Sequence, residues 1–172
     1  LLSLTHINIF FAVLFSFLLS YFLNYYFHFN YGTIMVHYLR VQELKKEDYF
    51  SFISLLSEEA KKHPKGILAI SAYGSISRGM LLARSDIDVT LLREKGLLNI
   101  FYAIIFMEKM RRLASKNRIP FDTAVADSIL FMKKKYRSDE PPILIYDPKN
   151  VLKINYDKVL TIENAYSLNK FS

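Results

Sequence analysis

The sequence predicts a small α/β (α+β) domain in which helices pack mainly on one face of a mixed β-sheet. Residues 66–73 form an unbroken apolar run, which is typical of a strand buried on both sides. Residues 86–92 contain a second apolar strand. Apolar residues recur at helical spacing within residues 41–62 and 99–116, so we expect helices to alternate with the strands and to cover the sheet.

The first helix is predicted over residues 41–62. Leu44, Ile53 and Leu56 stand among charged residues in this segment, which is the pattern of an amphipathic helix that packs against a sheet. Pro64 follows directly after His63 and is expected to end the helix.

The first buried strand leads directly into Gly74 and Ser75. Glycine lets the backbone approach a ligand without a Cβ in the way, and Ser75 is a suitable N-cap for a helix over residues 76–82. The free N–H groups of such a helix would point at an anion. Gly74 and Ser75 are therefore predicted to bind a triphosphate. Arg78 is either a phosphate contact or a solvated residue of that helix.

Asp86 and Asp88 are two residues apart on the second strand, so their side chains leave the same face while Ile87 and Val89 enter the core. Two neighbouring carboxylates repel each other unless a cation lies between them, and oxygen ligands suit Mg²⁺ or Mn²⁺. Alone, a Gly-Ser pair after a strand is usually a turn, and an Asp-x-Asp is usually a solvated strand end. Their occurrence in this order, each with an apolar strand, favours a phosphate and metal site.

The second helix is predicted over residues 99–116, after a turn in the preceding polar segment. A strand that contains Asp122 follows it. A short helix at residues 128–136, a turn at Pro141-Pro142 and a strand from Ile143 complete the predicted domain, and the tail after them is weakly patterned.

The glycine and aspartate motifs together resemble the signature of the DNA polymerase β nucleotidyltransferase superfamily. Gly74-Ser75 is followed after ten residues by Asp86-Ile87-Asp88, and Arg78-Gly79 and Ser85 also match the small stand-alone members of bacteria and archaea, the minimal nucleotidyltransferases. The resemblance covers residues 48–151. It implies the nucleotidyltransferase fold.

The resemblance also implies the roles of the residues. Asp86 and Asp88 would hold two metal ions, and a third carboxylate, for which Asp122 is at a suitable distance, would complete the site. Gly74-Ser75 would hold the β and γ phosphates of a nucleoside triphosphate, with ATP as the expected substrate. An acceptor hydroxyl would then attack the α-phosphorus, and pyrophosphate would leave.

Asp127 is the alternative to Asp122 as the third carboxylate. The two are five residues apart, so on a continuous strand their side chains would face opposite sides, and only one can serve the site. Asp127-Ser128 precedes the apolar residues 129–132, which is typical of a helix N-cap. This pattern favours Asp122.

Composition narrows the classes of function and of partner. The chain has no cysteine, and its four histidines lack ligand spacing, which argues against a thiol nucleophile and against zinc. The net charge of +7 would attract a triphosphate but is too small to require nucleic acid. Residues 35–172 are too few to include additional domains that bind nucleic acid. We therefore expect the acceptor of the transferred group to be a small molecule or a protein hydroxyl. The alternative function is an antitoxin-like module that neutralises a helical partner protein.

Residues 1–34 differ from the rest because they contain no Asp, Glu, Lys or Arg. As a helix, residues 7–29 would be ~34 Å long, enough to cross a bilayer. Basic residues follow from Arg40, which would place the domain at 35–172 in the cytoplasm. Alternatively, residues 1–34 are a translation of non-coding sequence upstream of the gene. The chain opens on leucine and its first methionine is Met35, which supports this alternative.

Overall fold

The computed structural model describes residues 9, 11–21, 44–137 and 139–170. The chain divides into two compact units, Leu1–Tyr31 and Gly32–Ser172. In the first unit, residues 9 and 11–21 are helical and exposed, and the rest of the predicted segment 7–29 lies outside the described residues. None of the helices within the described ranges is both long enough and apolar enough to cross a membrane.

A four-stranded mixed sheet forms the centre of the second unit, as the sequence predicts. Its strands are β1 (Ile67–Tyr73), β2 (Ile87–Arg93), β3 (Phe121–Ala126) and β4 (Ile143–Tyr146), and they lie in the order β3-β2-β1-β4. β1 pairs antiparallel with both β2 and β4, whereas β2 and β3 are parallel. The fold class predicted from the sequence is therefore confirmed.

The two longest helices of this unit, α1 (Lys46–Lys62) and α2 (Leu97–Lys116), cover the same face of the sheet. Two short helices, α3 (Ile129–Lys135) and α4 (Val151–Asn155), cover the opposite face, where Met132 and Leu152 pack on the sheet. A fifth helix, α5 (Ile162–Leu168), joins the core on the side of α1.

The end of α1 and the start of α3 agree with the sequence predictions. The backbone N–H of Lys45 donates to Asp48 Oδ2 at 2.8 Å at the start of α1, and the helix ends at Lys62, two residues before Pro64. The predicted residues 41–43 of this helix lie outside the described residues. α3 begins after Ser128, whose Oγ accepts the N–H of Phe131 at 3.3 Å.

The predicted helix over residues 76–82 is wrong. Residues Gly74–Ile76 form one turn of 3₁₀-helix, and the chain then turns through Gly79, whose φ is 74°. That left-handed conformation cannot continue a right-handed helix. Ser75 is accordingly not an N-cap, since Tyr73 occupies that position of the 3₁₀ turn.

Candidate functional site

The pairing of β2 with β3 places two predicted site residues side by side. Asp88 and Asp122 are direct partners in the parallel register, so their side chains leave the same face of the sheet on neighbouring strands. Asp86 lies just before β2, in an exposed position. Asp122, and not Asp127, is therefore the later carboxylate that the structure brings to Asp88.

Two neighbouring carboxylates, Asp86 and Asp122, affect the ionisation of Asp88. Burial, followed by the negative charges of Asp86 and Asp122, raises the pKa of Asp88 to about 7. The charge of Lys135 acts in the opposite direction, and that of Glu140 acts in the same direction as the aspartates. The pKa of Asp88 is thus raised first by burial and then by the neighbouring negative charges, which a cation would neutralise.

Gly74 brings the loop after β1 against Asp88. Its φ of 83° lies in the left-handed region, and a Cβ at this position would lie 2.7 Å from Asp88 Oδ2. The close approach follows from the register, because Tyr73 pairs with Asp88 across the antiparallel strands. Glycine is required here for two reasons, the backbone conformation and the contact with the carboxylate.

Ser75, the second residue of the predicted phosphate loop, carries an unsatisfied hydroxyl. Its Oγ is buried and has no hydrogen-bond partner among the described residues. Buried polar atoms are normally paired, so this oxygen is available to a ligand that enters the loop. The neighbouring Ser77 differs, since its Oγ donates to the carbonyl of Gly74 at 3.0 Å and fixes the turn.

The C-terminal part of the chain supports this loop. The side chain of Asn169 is buried, and its Oδ1 accepts the N–H of Leu81 at 3.0 Å while its Nδ2 donates to the carbonyl of Ile76 at 2.7 Å. A Cβ on Gly79 would lie 2.8 Å from Leu168 Cγ. Sequence reasoning missed Asn169 because it lies in the weakly patterned tail, where no local signal marks it.

Arg78 is held by an acidic residue that sequence reasoning also missed. Its Nε lies 3.5 Å from Glu140 Oε1, and both side chains are largely buried. The interpretation of Arg78 as a solvated helix residue is therefore wrong, whereas its role as a phosphate contact stays a prediction. Glu140 could not have been singled out, since it stands in an ordinary polar turn before Pro141-Pro142.

Asp127 lies apart from the carboxylates of the site. It follows the last residue of β3, and its Oδ1 accepts a hydrogen bond from Arg93 Nε. The side chain of Asp127 is 72% exposed. The ion pair with Arg93 gives Asp127 a structural role, so no catalytic role is needed to explain this residue.

A cluster of one buried tyrosine, Tyr73, and the half-buried Tyr136 lies beside the carboxylates. The rings of Tyr73 and Tyr136 stack at 3.6 Å, and the hydroxyl of Tyr136 forms a hydrogen bond with Thr90 Oγ1. Burial raises the pKa of Tyr136, and the charges of Asp88 and Asp122 act in the same direction. The sequence contains twelve tyrosines, so nothing in it distinguishes this one.

Within the described ranges, the structure contains no group of three or more His, Cys, Asp or Glu side chains arranged to hold a metal ion. The carboxylate of Asp122 is turned toward the backbone, where its Oδ1 accepts the N–H of Thr123 at 2.7 Å. The chemistry of the set nevertheless fits a hard cation, because Asp86, Asp88 and Asp122 offer only oxygen ligands and their charges repel one another.

Comparisons of the chain with protein-family models and with curated proteins find no match.

Proposed function

We propose that the protein is a metal-dependent nucleotidyltransferase, which moves a nucleoside monophosphate from a triphosphate, with ATP as the nucleotide, to a hydroxyl of a small molecule or a protein. The observation that carries the proposal is the contact between the Gly74 backbone and Asp88, which itself pairs with Asp122. This contact brings the glycine loop and two carboxylates to one end of the sheet. The resemblance of the motifs to the polymerase β superfamily supplies the reaction.

In this proposal, Asp86, Asp88 and Asp122 would hold Mg²⁺ or Mn²⁺, two ions in all. The ions would neutralise the charge that builds on the attacking and leaving oxygens. The chain itself would position the reacting groups and stabilise the charge that develops in the transition state. Gly74 gives the phosphates access to the loop backbone, and the unsatisfied hydroxyl of Ser75 would bind them.

Arg78 would bind the same phosphates from the side of the loop. Its buried Nε has no hydrogen-bond partner among the described residues, and its ion pair with Glu140 is long, at 3.5 Å. A phosphate oxygen would satisfy this donor more closely than Glu140 does. We place the activity in the cytoplasm, where ATP and Mg²⁺ are available.

The proposal predicts that ATP binding requires a divalent ion. Isothermal titration calorimetry of the full chain with ATP should show binding in Mg²⁺ and none in excess chelator, because the carboxylates alone would repel the triphosphate. Asp88→Asn is the matched variant, since it keeps the shape of the side chain and removes its charge. Equal binding with chelator, or undiminished Mg²⁺-dependent binding by Asp88→Asn, would contradict the proposal.

The alternative is an antitoxin-like module that neutralises a helical partner protein, with or without catalysis. An apolar surface outside the site would support it, and the first half of α2 carries exposed apolar side chains, including Leu97 and Ile105. The same surface also suits a second copy of the chain. Transfer of label from α-labelled ATP to an acceptor by the isolated protein distinguishes the enzyme from a pure binding module.

A further inference from the structure

The first half of α2 carries an apolar stripe that the other described elements of the second unit leave largely exposed. Six of its side chains are between 36% and 73% exposed, and we call them the α2 stripe: Leu97, Leu98, Phe101, Tyr102, Ile104 and Ile105. Each helical residue turns by about 100°, so these six fall within roughly 160° of the circumference. Ala103, Phe106 and Met107 occupy the other side of the helix and face the core.

The α2 stripe is large for a surface exposed to water. Side chains of this size carry roughly 150–250 Å² each, so at the observed exposures the six present on the order of 600 Å². Contiguous apolar patches on monomers rarely exceed a few hundred Å², and a standard interface buries ~800 Å² per partner. The stripe therefore supplies most of the area that one partner contributes to a standard interface, and its polar borders would supply the rest.

The charges around the stripe argue against a lipid surface. No charged residue occurs between Leu97 and Met107. Helices that lie on membranes combine an apolar face with lysines and arginines that meet anionic headgroups, and this half of α2 has none. Charges of both signs occur at each end of the stripe, with Glu94 and Lys95 before it and Glu108 and Lys109 after it.

We propose that the α2 stripe binds the α2 stripe of a second copy of this chain, with the two helices antiparallel about a two-fold axis at Phe101. Phe101 stands midway between Leu97 and Ile105, so this arrangement places Phe101 against itself and Leu97 against Ile105 of the other copy. A two-fold interface needs such a self-complementary surface.

Sedimentation velocity of the full chain in a mild non-ionic detergent tests the proposal. We expect a dimer, and we expect Phe101→Glu to weaken dimerisation by at least about a hundredfold, because two like charges would meet at the axis. Ile154→Glu is the matched control, since Ile154 is 79% exposed on α4, outside the stripe. It should dimerise like the wild type, and circular dichroism should show that both variants are folded.

Cross-linking gives an independent measurement because the chain contains no cysteine. Phe101→Cys places one thiol at the axis, and mild oxidation should convert the protein to a covalent dimer. Ile154→Cys, at the control position, should form no covalent dimer under the same conditions.

Three results would overturn the proposal. The first is a wild-type monomer at micromolar concentration. The second is a dimer that survives Phe101→Glu, which would mean self-association through another part of the chain. The third is equal cross-linking of the two cysteine variants. A variant that is unfolded by circular dichroism is replaced by Ile105→Glu, which also lies in the stripe, and the same criteria apply.

Discussion

At the residue scale, Gly74 and Asp88 constrain each other. The loop reaches the carboxylate only because position 74 has no side chain and adopts a φ of 83°. Both requirements follow from one feature, the sharp turn of the backbone directly after β1.

Gly74→Ala should therefore weaken Mg²⁺-dependent ATP binding by about tenfold or more, a loss of about 1.4 kcal/mol. It should also destabilise the fold by about 1–3 kcal/mol through backbone strain. Gly96→Ala is the control for strain alone, since Gly96 has a φ of 119° but its Cβ would meet no atom closer than 3.5 Å. Calorimetry and thermal melting measure the two effects. Equal loss of ATP binding in both variants would show that the contact with Asp88 is irrelevant.

Asp122→Asn should reduce nucleotide transfer by at least about 10²-fold, because it removes one charge from the three that would hold the metals. The fold should be preserved, as the amide oxygen can still accept the N–H of Thr123. Asp127→Asn should be mild, since its partner Arg93 lies outside the site. Initial rates of transfer from labelled ATP, measured for both variants, test the assignment of the third carboxylate. An inactive Asp127→Asn would show that this assignment is wrong.

At the scale of elements, Glu59 joins the two long helices. Its carboxylate accepts from Lys109 Nζ of α2 at 2.6 Å and from Lys62 Nζ of α1 at 3.0 Å. The hydrogen bonds from Lys109 and then Lys62 lower the pKa of Glu59 to about 2. A carboxylate with a depressed pKa stabilises the folded state above its ordinary pKa, and this stabilisation is lost as the pH falls toward 2.

Glu59→Gln should therefore lower the free energy of unfolding by about 1 kcal/mol at pH 7, since both lysines reach into solvent and their pairs are screened. The difference from the wild type should shrink as the pH falls from about 4.5 toward 2, and urea unfolding at several pH values would measure it. Glu58→Gln, an exposed position on the same helix, should have little effect. A difference that stays constant over this pH range would mean that Glu59 acts through packing.

The elements predicted correctly are those whose residues repeat a simple pattern. The apolar runs of β1 and β2 and the amphipathic α1 and α2 carry their signal locally, so periodicity found them. The segment after Gly74 has no such pattern. The conformation of this loop depends on the close approach of Gly79 to Leu168. It also depends on two hydrogen bonds of the Asn169 side chain, which accepts one and donates the other and lies about ninety residues away. Contacts between residues so far apart in the chain produce no recognisable pattern in the local sequence.

The same distinction holds for the site. Gly74, Asp86 and Asp88 stand in a short motif. The odd spacing of Asp122 and Asp127 showed that only one of them can serve the site, and the N-cap pattern at Asp127-Ser128 favoured Asp122. The contributions of Glu140 and Tyr136 arise from tertiary packing, and their own residue types are common in this chain.

At the scale of the whole molecule, the described residues that form the two buried clusters all belong to the second unit. Within the described ranges, they begin at Leu44 and use the sheet and the helices that follow. The residues of the site also lie after this point.

A chain that begins at Met35 should therefore fold and should bind Mg²⁺-ATP within about threefold of the full-length affinity, a difference of less than 1 kcal/mol. Thermal melting with and without Mg²⁺-ATP, alongside calorimetry, measures both properties. Loss of a cooperative melting transition would show that residues 1–34 contribute to the core. Detergent-dependent solubility of the full chain that disappears on truncation would instead support a membrane anchor.

The parallel pairing of β2 with β3 has a consequence for the order of folding. Parallel strands cannot be joined by a tight turn, and here the 20 residues of α2 lie between them. Asp88 and Asp122 therefore become neighbours only when this crossover has closed, whereas the antiparallel β1 and β2 can pair earlier through a shorter loop. A partly folded or partly synthesised chain holds Asp86 and Asp88 on one strand without Asp122. In the proposed function, the set of three carboxylates that would hold the metal ions is therefore complete only when the sheet is complete.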